Sequence, residues 1–169
     1  LPGVGKSTHL KALSKTLKGA VYLDKDVLNE TLLNGNAYFS DYYDTYVKDQ
    51  SYALMFALAK DNLENSNSCI ILDGFFGNKL SSPMVQSFRD ELGCQVKVVY
   101  FYCSPHLNKK WITERGEERD QEKLGDFYSY YEKALADHLK ELGQVPHLGI
   151  NTENDLQENI QLIIEYLAI

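Results

Sequence analysis

Residues 1–8 read LPGVGKST, and the prediction of the fold starts from them. This stretch matches the phosphate-binding motif G-x-x-x-x-G-K-[ST] except for the first glycine, whose place falls one residue before Leu1. Gly3 and Gly5 let the backbone curl closely around phosphate oxygens, because neither carries a Cβ. Successive backbone N–H groups can then surround an anion, and a helix that starts at Lys6 adds the positive end of its dipole.

The motif also predicts which residues contact a nucleotide. The Lys6 ammonium is expected to reach the β- and γ-phosphates, and the Ser7 hydroxyl is expected to ligate Mg²⁺. The whole predicted nucleotide-binding set is Gly3, Val4, Gly5, Lys6, Ser7 and Thr8. The alternative is a Gly/Pro turn before a helix that carries Lys-Ser-Thr by chance.

A phosphate loop normally follows a buried β-strand, and no such strand precedes residue 1. We therefore expect a longer parent protein to supply that strand and the missing glycine. Residues 1–169 are then expected to form one domain that is incomplete at its N-terminus.

Composition narrows the class of protein. The formal net charge of −7 argues against broad binding to nucleic acid, which needs a basic face. Three cysteines, an odd number without a spacing motif, are typical of reduced thiols in the cytoplasm. Cys69 and Cys103 lie in apolar runs and are predicted to be core residues. No apolar run reaches transmembrane length, so we expect no membrane partner.

Short apolar runs alternate with helical patterns along the chain. Strands are predicted at residues 20–23, 69–72, 95–103 and 148–150. Helices are predicted at 6–17, from 27 to about 33, through 52–63, from about 83 to before Gly93, from 105, over 127–142, and after Asp155. This alternation predicts a three-layer α/β/α P-loop domain with a parallel sheet.

Three acidic residues follow predicted strands, where open α/β sheets place their sites. Asp73 is expected to hold Mg²⁺ or its waters. Asp26 is the candidate base that orients and deprotonates an incoming hydroxyl, and Asp24 is expected to assist metal or substrate. The alternative for Asp26 is that it only caps the next helix.

Residues 115–123 are almost entirely charged. Arginine can neutralise a phosphoryl group in transfer, so Arg115 and Arg119 are the candidates on a mobile lid, with Lys123 third. The alternative is a solvated charged loop. The tyrosine-rich segment at residues 38–46 could form an acceptor pocket, although such residues more often pack a helix. No role is predicted for the four histidines, His9, His106, His138 and His147.

Three motifs together resemble one family: LPGVGKST, the turn at residues 23–26, and IILDGFF at residues 70–76. They resemble the P-loop kinases of the AAA-type predicted kinase group, which is related to zeta toxin, chloramphenicol phosphotransferase and polynucleotide kinase. The resemblance implies that Asp26 is the general base, that Arg115 and Arg119 are lid arginines, and that Asn151 and Thr152 touch adenine. Polynucleotide kinases carry an arginine three residues after the base; here that residue is Asn29, which disfavours a nucleic-acid acceptor.

The sequence therefore predicts a cytoplasmic kinase that uses ATP and Mg²⁺ to phosphorylate a hydroxyl of a small molecule. Two alternatives stay open: a nucleotide-binding regulatory domain without an acceptor, and a nucleic-acid 5′-hydroxyl kinase. The acidic balance argues against the second of these.

Overall fold

The structure is a computed structural model that describes residues 1–38, 40–66, 69–76, 83–117 and 120–167. Within these ranges the chain divides into two compact units. One comprises residues 1–12 and 75–169, and the other comprises residues 13–74. The expectation of a single domain stays a prediction, and each unit is described separately below.

The helices and strands alternate in the predicted order. The helices are α1 (Lys6–Thr16), α2 (Lys25–Leu33), α3 (Lys48–Asn65), α4 (Pro83–Asp90), α5 (Pro105–Arg115), α6 (Gln121–Gly125), α7 (Phe127–Leu142) and α8 (Leu156–Leu167). The strands are β1 (Val21–Asp24), β2 (Ile70–Asp73), β3 (Val98–Tyr102) and β4 (His147–Asn151). A π-helical turn at Tyr43–Val47 precedes α3.

The unit of residues 13–74 is built on one parallel strand pair. β1 and β2 run in register from Val21 opposite Ile70 to Asp24 opposite Asp73. α3 packs against both strands and against α2. Its buried side chains include Tyr52, Met55, Phe56 and Ala59, which recur at helical spacing and bring one face of α3 to the core.

The unit of residues 1–12 and 75–169 contains the second parallel pair, β3 with β4. α8 packs on β4, while α5, α6 and α7 pack on one another. Its buried core includes Phe101, Ile112, Phe127, Ile150 and Ile163, of which Ile112 and Ile163 are fully buried.

Most predicted boundaries are confirmed to within a few residues, and the exceptions have local causes. The predicted strand at 95–103 is shorter, because β3 begins only at Val98. α2 begins at Lys25, two residues before the first apolar residue of its pattern, because Asp24 caps it. Asp155 caps α8 as predicted, since its Oδ1 accepts from the backbone N–H groups of Gln157 at 2.8 Å and Glu158 at 3.1 Å.

The two cysteines that were predicted to lie in the core differ in burial. Cys103 is buried, whereas Cys69 is only half-buried, and both are free thiols. Burial raises the pKa of the Cys103 thiol to about 11. None of the described helices is both long enough and apolar enough to cross a membrane.

Candidate functional site

The predicted phosphate loop forms a tight turn that leads directly into α1. Gly3 has φ +69° and Gly5 has φ +78°, both in the left-handed region that favours glycine. Val4 between them is buried, with 1% of its surface exposed. Lys6 and Ser7 are half-buried in the first turn of α1, and Thr8 is exposed. This backbone has the form that an anion nest at a helix N-terminus requires.

Neighbouring elements leave no room for a side chain at Gly3 and lie in van der Waals contact with the Cβ position of Gly5. A Cβ at Gly3 would collide with the side chain of Ile112 on α5. A Cβ at Gly5 would lie 3.4 Å from the Trp111 ring and 3.5 Å from Cβ of Thr152. The loop therefore packs against α5 and against the segment after β4. Gly3 is required by packing as well as by φ, whereas Gly5 is required by φ alone.

Asn108 holds the start of the loop and was not singled out from the sequence. Its Nδ2 donates to the carbonyl oxygen of Pro2 at 2.7 Å, and the residue is 1% exposed. Its Oδ1 is buried without a hydrogen-bond partner among the described residues. A buried amide with only one side satisfied is costly, which is typical of positions where polar groups converge on a site. No local sequence signal identifies it, since its partner lies 106 residues away.

The second cluster lies in the unit of residues 13–74, at the carboxyl ends of β1 and β2. Asp24 and Asp73 are the last residues of adjacent parallel strands, as predicted. The Tyr22 hydroxyl donates to Oδ2 of Asp73 at 2.6 Å and to Oδ2 of Asp24 at 3.3 Å. Burial, followed by the hydrogen bond to Asp73, raises the pKa of Tyr22. Tyr22 thus stays protonated and ties two carboxylates together.

Asp24 rather than Asp26 caps α2. Oδ1 of Asp24 accepts from the backbone N–H of Asp26 at 2.9 Å. Asp26 lies half-buried in the first turn of the helix, where the dipole favours a negative charge. The capping alternative for Asp26 is therefore wrong, and its side chain is not required for that task.

Lys25 and Asn29 form a buried pair beneath this turn. Lys25 is 7% exposed, and its Nζ donates to Oδ1 of Asn29 at 3.2 Å. The same ammonium lies 4.5 Å from the centroid of the Tyr52 ring, within cation–π range. Asn29 is 3% exposed, so it serves the interior of this unit.

Side-chain contacts link the described ends of the charged segment. Asp120 is fully buried and accepts from Nε of Arg115 at 2.9 Å and from Nζ of Lys123 at 2.7 Å. Burial would raise the pKa of Asp120, but the hydrogen bonds from Lys123 and Arg115 and their charges outweigh it, so the pKa is lowered. Arg119 lies outside the described residues.

The segment after β4, predicted to lie beside adenine, is fixed by backbone contacts. Thr152 is 8% exposed, and both its N–H, at 2.9 Å, and its hydroxyl, at 3.2 Å, donate to the carbonyl oxygen of Tyr102. Because Thr152 also lies beside Gly5, the segment and the phosphate loop belong to one packed region.

The predicted residues thus fall into two groups. The phosphate loop, Arg115 and the segment after β4 lie in one unit. The acidic turn, which comprises residues 24–26, and Asp73 lie in the other. The described residues contain no group of three His, Cys, Asp or Glu side chains that could hold a metal ion. The Ser7 hydroxyl in one unit and the two aspartates in the other are each oxygen donors of the kind that Mg²⁺ takes.

The fold and this loop define a P-loop protein of the α/β class. The family model described as "AAA domain" matches residues 1–133, and the chain belongs to that family. Its place in the AAA-type P-loop kinase group, predicted from its motifs, is thereby confirmed.

The chain is also similar to a curated relative, L-seryl-tRNA(Sec) kinase of Methanococcus maripaludis. The two are 26% identical over 172 residues, which cover 100% of this chain and 63% of the relative. The chain therefore spans less than two thirds of the length of the relative that it matches.

Two solved structures confirm the fold. A candidate kinase from Chloroflexus aurantiacus J-10-fl superposes with a TM-score of 0.69 at 16% identity, covering 97% of this chain and 92% of that one. Shikimate kinase from Bacteroides thetaiotaomicron superposes with a TM-score of 0.62, also at 16% identity, covering 99% of this chain and 94% of that one. Both support the P-loop α/β fold.

Proposed function

We propose that the protein is an ATP- and Mg²⁺-dependent phosphotransferase that phosphorylates a hydroxyl group. The observation that carries this proposal is the loop of residues 3–8, whose two left-handed glycines lead into the N-terminus of α1. Membership in the AAA domain family supports the same activity.

In this proposal the phosphate loop binds the nucleotide through its backbone. The N–H groups of residues 3–8 surround the phosphates, and Lys6 neutralises their charge. Ser7, with Asp73 and Asp24, would hold Mg²⁺, which neutralises charge on the β- and γ-phosphates. Tyr22 supports this metal role, because its hydroxyl donates to Asp73 at 2.6 Å and lies 3.3 Å from Oδ2 of Asp24, beside both carboxylates.

Asp26 is proposed as the base that orients the acceptor hydroxyl and takes its proton. Two observations favour it over Asp24. The side chain of Asp24 is committed to the cap of α2, and Asp26 is half-buried at the helix start without that task. Arg115 and Arg119 are proposed to stabilise the group in transfer, which requires Arg115 to exchange its contact with Asp120 for one with phosphate.

For the acceptor, we propose a hydroxyl of a small molecule. The net charge of −7 and the buried position of Asn29 both disfavour a phosphate-bearing acceptor at this turn. The second candidate is a hydroxyl carried by an aminoacylated tRNA, since the curated relative is named an L-seryl-tRNA(Sec) kinase and aligns with the whole of this chain.

The test follows the transfer of labelled γ-phosphate from ATP to pooled acceptors by the full-length protein. One pool contains sugars, nucleosides and antibiotics, and a separate reaction contains seryl-tRNA. The wild type is compared with Asp26→Asn and with Glu30→Gln, a matched control on the exposed side of the same helix. We expect a labelled product with the wild type and with the control, and none with Asp26→Asn.

Each other result changes the account in a defined way. A product that forms equally with Asp26→Asn would contradict the role of Asp26 as base. Tight ATP binding without any labelled product would favour the regulatory nucleotide-binding domain. A product only in the seryl-tRNA reaction would replace the small-molecule acceptor by the tRNA-bound one.

A further inference from the structure

His9 joins the phosphate loop to two distant segments of the chain. It lies in the second turn of α1 and is 5% exposed. Its Nδ1 lies 3.0 Å from the carbonyl oxygen of Gly5, and its Nε2 lies 3.0 Å from Nδ2 of Asn159 on α8. Both ring nitrogens are therefore engaged in the interior.

The hydrogen-bond partners of Asn159 determine which nitrogen of His9 donates and which accepts. Asn159 is 1% exposed, and its Nδ2 also donates to the carbonyl oxygen of Asn151 at 2.9 Å. A carbonyl oxygen can only accept, so the amide nitrogen faces both Asn151 and His9. Nε2 of His9 must then accept, and Nδ1 must carry the proton that it donates to Gly5. In this arrangement His9 donates through Nδ1 and accepts at Nε2.

At one end, the network contacts the Gly5 carbonyl group of the phosphate loop. The Gly5 carbonyl oxygen accepts from His9 twice, from the backbone N–H at 3.4 Å and from Nδ1. These bonds turn the carbonyl toward the helix and leave the N–H groups of the loop to face an anion. The Phe101 ring, 5.6 Å from the imidazole between centroids, limits the movement of His9.

The other end of the network reaches the segment after β4. Asn151 is the last residue of β4, and Thr152, its neighbour, lies beside Gly5. A single chain of hydrogen bonds therefore runs from the Gly5 carbonyl through His9 and Asn159 to Asn151. In buried surroundings such a chain has only one satisfied arrangement, so its ends are held in fixed register.

We propose that His9 and Asn159 are positioning residues that couple the phosphate loop to the segment after β4, so that the phosphates and the base of a nucleotide are bound as one unit. This inference rests on the proposed nucleotide-binding function and on the prediction that Asn151 and Thr152 touch adenine. Neither side chain touches the nucleotide; both act by setting the backbone that does.

The chain offers substitutions that separate the two halves of the network. His9→Asn keeps a donor near Gly5 but loses the acceptor for Asn159, whereas His9→Gln keeps an acceptor near Asn159 but loses the donor to Gly5. Asn159→Leu removes the link to Asn151. His106→Asn, at an exposed histidine on α5, is the matched control.

Dissociation constants of the full-length variants are measured by calorimetry for two probes, ATP and inorganic tripolyphosphate. We expect His9→Asn and Asn159→Leu to weaken ATP about tenfold and tripolyphosphate much less, because only ATP senses both segments. His9→Gln is expected to weaken both probes. The double variant His9→Asn/Asn159→Leu should bind ATP no more weakly than Asn159→Leu alone, because the two residues act through one network.

A purely structural role would lower thermal stability without changing the ratio of the two affinities, and that result would overturn the inference. Wild-type protein that binds neither probe would overturn both the inference and the proposed function. Wild-type protein that binds ATP while every variant binds it equally would overturn the inference alone. ¹⁵N NMR of the wild type provides a test that needs no variant: a proton on Nδ1 of His9 supports the network, and a proton on Nε2 contradicts it.

Discussion

The phosphate loop and the acidic turn are built by opposite means. The shape of the loop is determined by its backbone: Gly3 and Gly5 have left-handed conformations, and α5 packs against them. The arrangement at the acidic turn is determined by side chains, because Tyr22 links Asp24 to Asp73 across two strands. Each region lies in its own compact unit of the chain.

The difference shows what each region tolerates. In the loop, φ disfavours an added side chain at both glycines, and space also excludes one at Gly3. A side-chain site can lose one hydrogen bond and keep its backbone, because the strand pair and the helix cap hold it independently. Substitutions in the two regions are therefore expected to differ in how much they cost.

Lys6→Ala removes the side chain that is proposed to neutralise the phosphates. We expect phosphoryl transfer to fall roughly 10³-fold, equivalent to about 4 kcal/mol, because a preorganised charge opposite the transferring group is lost. Transfer rates are compared with those of Lys15→Ala, an exposed lysine on the same helix that should leave them unchanged. Near-normal transfer by Lys6→Ala would contradict the role of the loop.

Gly3→Ala tests the backbone of the loop directly. The added Cβ meets Ile112 and also forces alanine into a left-handed conformation, so we expect a loss of about 3 kcal/mol of unfolding free energy. Gly19→Ala is the matched control, because Gly19 has φ +78° but nothing within 4 Å of an added Cβ. Gly19→Ala should lower the free energy of unfolding by about 1 kcal/mol, as measured by chemical denaturation. Equal losses would show that packing on α5 is unimportant.

Asp120→Asn extends the contrast to a buried charge cluster. The pKa of Asp120 is lowered in the folded protein, so its contribution is complete above the unfolded value of about 3.9 and is lost as pH falls toward the folded value. We expect the variant to lose about 2 kcal/mol near neutral pH, because Arg115 and Lys123 lose a buried partner. Denaturation between pH 3 and 7 measures it. A variant with an unchanged acid profile would contradict the account.

Tyr22→Phe tests the link between the carboxylates and should have the smallest effect on stability, about 1 kcal/mol. The raised pKa of Tyr22 gives a second signature. The protonated Tyr22 hydroxyl stabilises the folded state fully below about pH 10, and this stabilisation is lost as the pH rises toward the higher pKa of the folded state. Wild-type stability should therefore fall more steeply above pH 10 than that of the variant. Parallel profiles would mean that the hydroxyl is not held by Asp73.

The sequence predicted most of the fold because the relevant signals are local. The end of α1 near Gly19, the strand ending at Asp73 and the cap at Asp155 each depend on residues within a few positions of one another. The π-helical turn at Tyr43–Val47 and the start of β3 at Val98 are not predicted by the sequence pattern.

The candidate site was predicted less completely for the same physical reason. The positions of Gly3, Gly5, Asp24 and Asp73 follow from a motif and from strand ends. The partners that orient them do not, because Tyr22 and Asp73 are 51 residues apart and His9 and Asn159 are 150 apart. No spacing rule connects such residues, so a histidine without a recognisable motif received no role.

The central claim is that residues 3–8 bind the phosphates of a nucleotide through their backbone. Its most direct test is a crystal structure of the full-length protein with Mg²⁺ and a non-hydrolysable ATP analogue. The account predicts that the β- and γ-phosphates lie within the loop, with the Lys6 ammonium and the Ser7 hydroxyl directed toward them. An analogue bound elsewhere, or a loop that stays empty at saturating analogue, would contradict it.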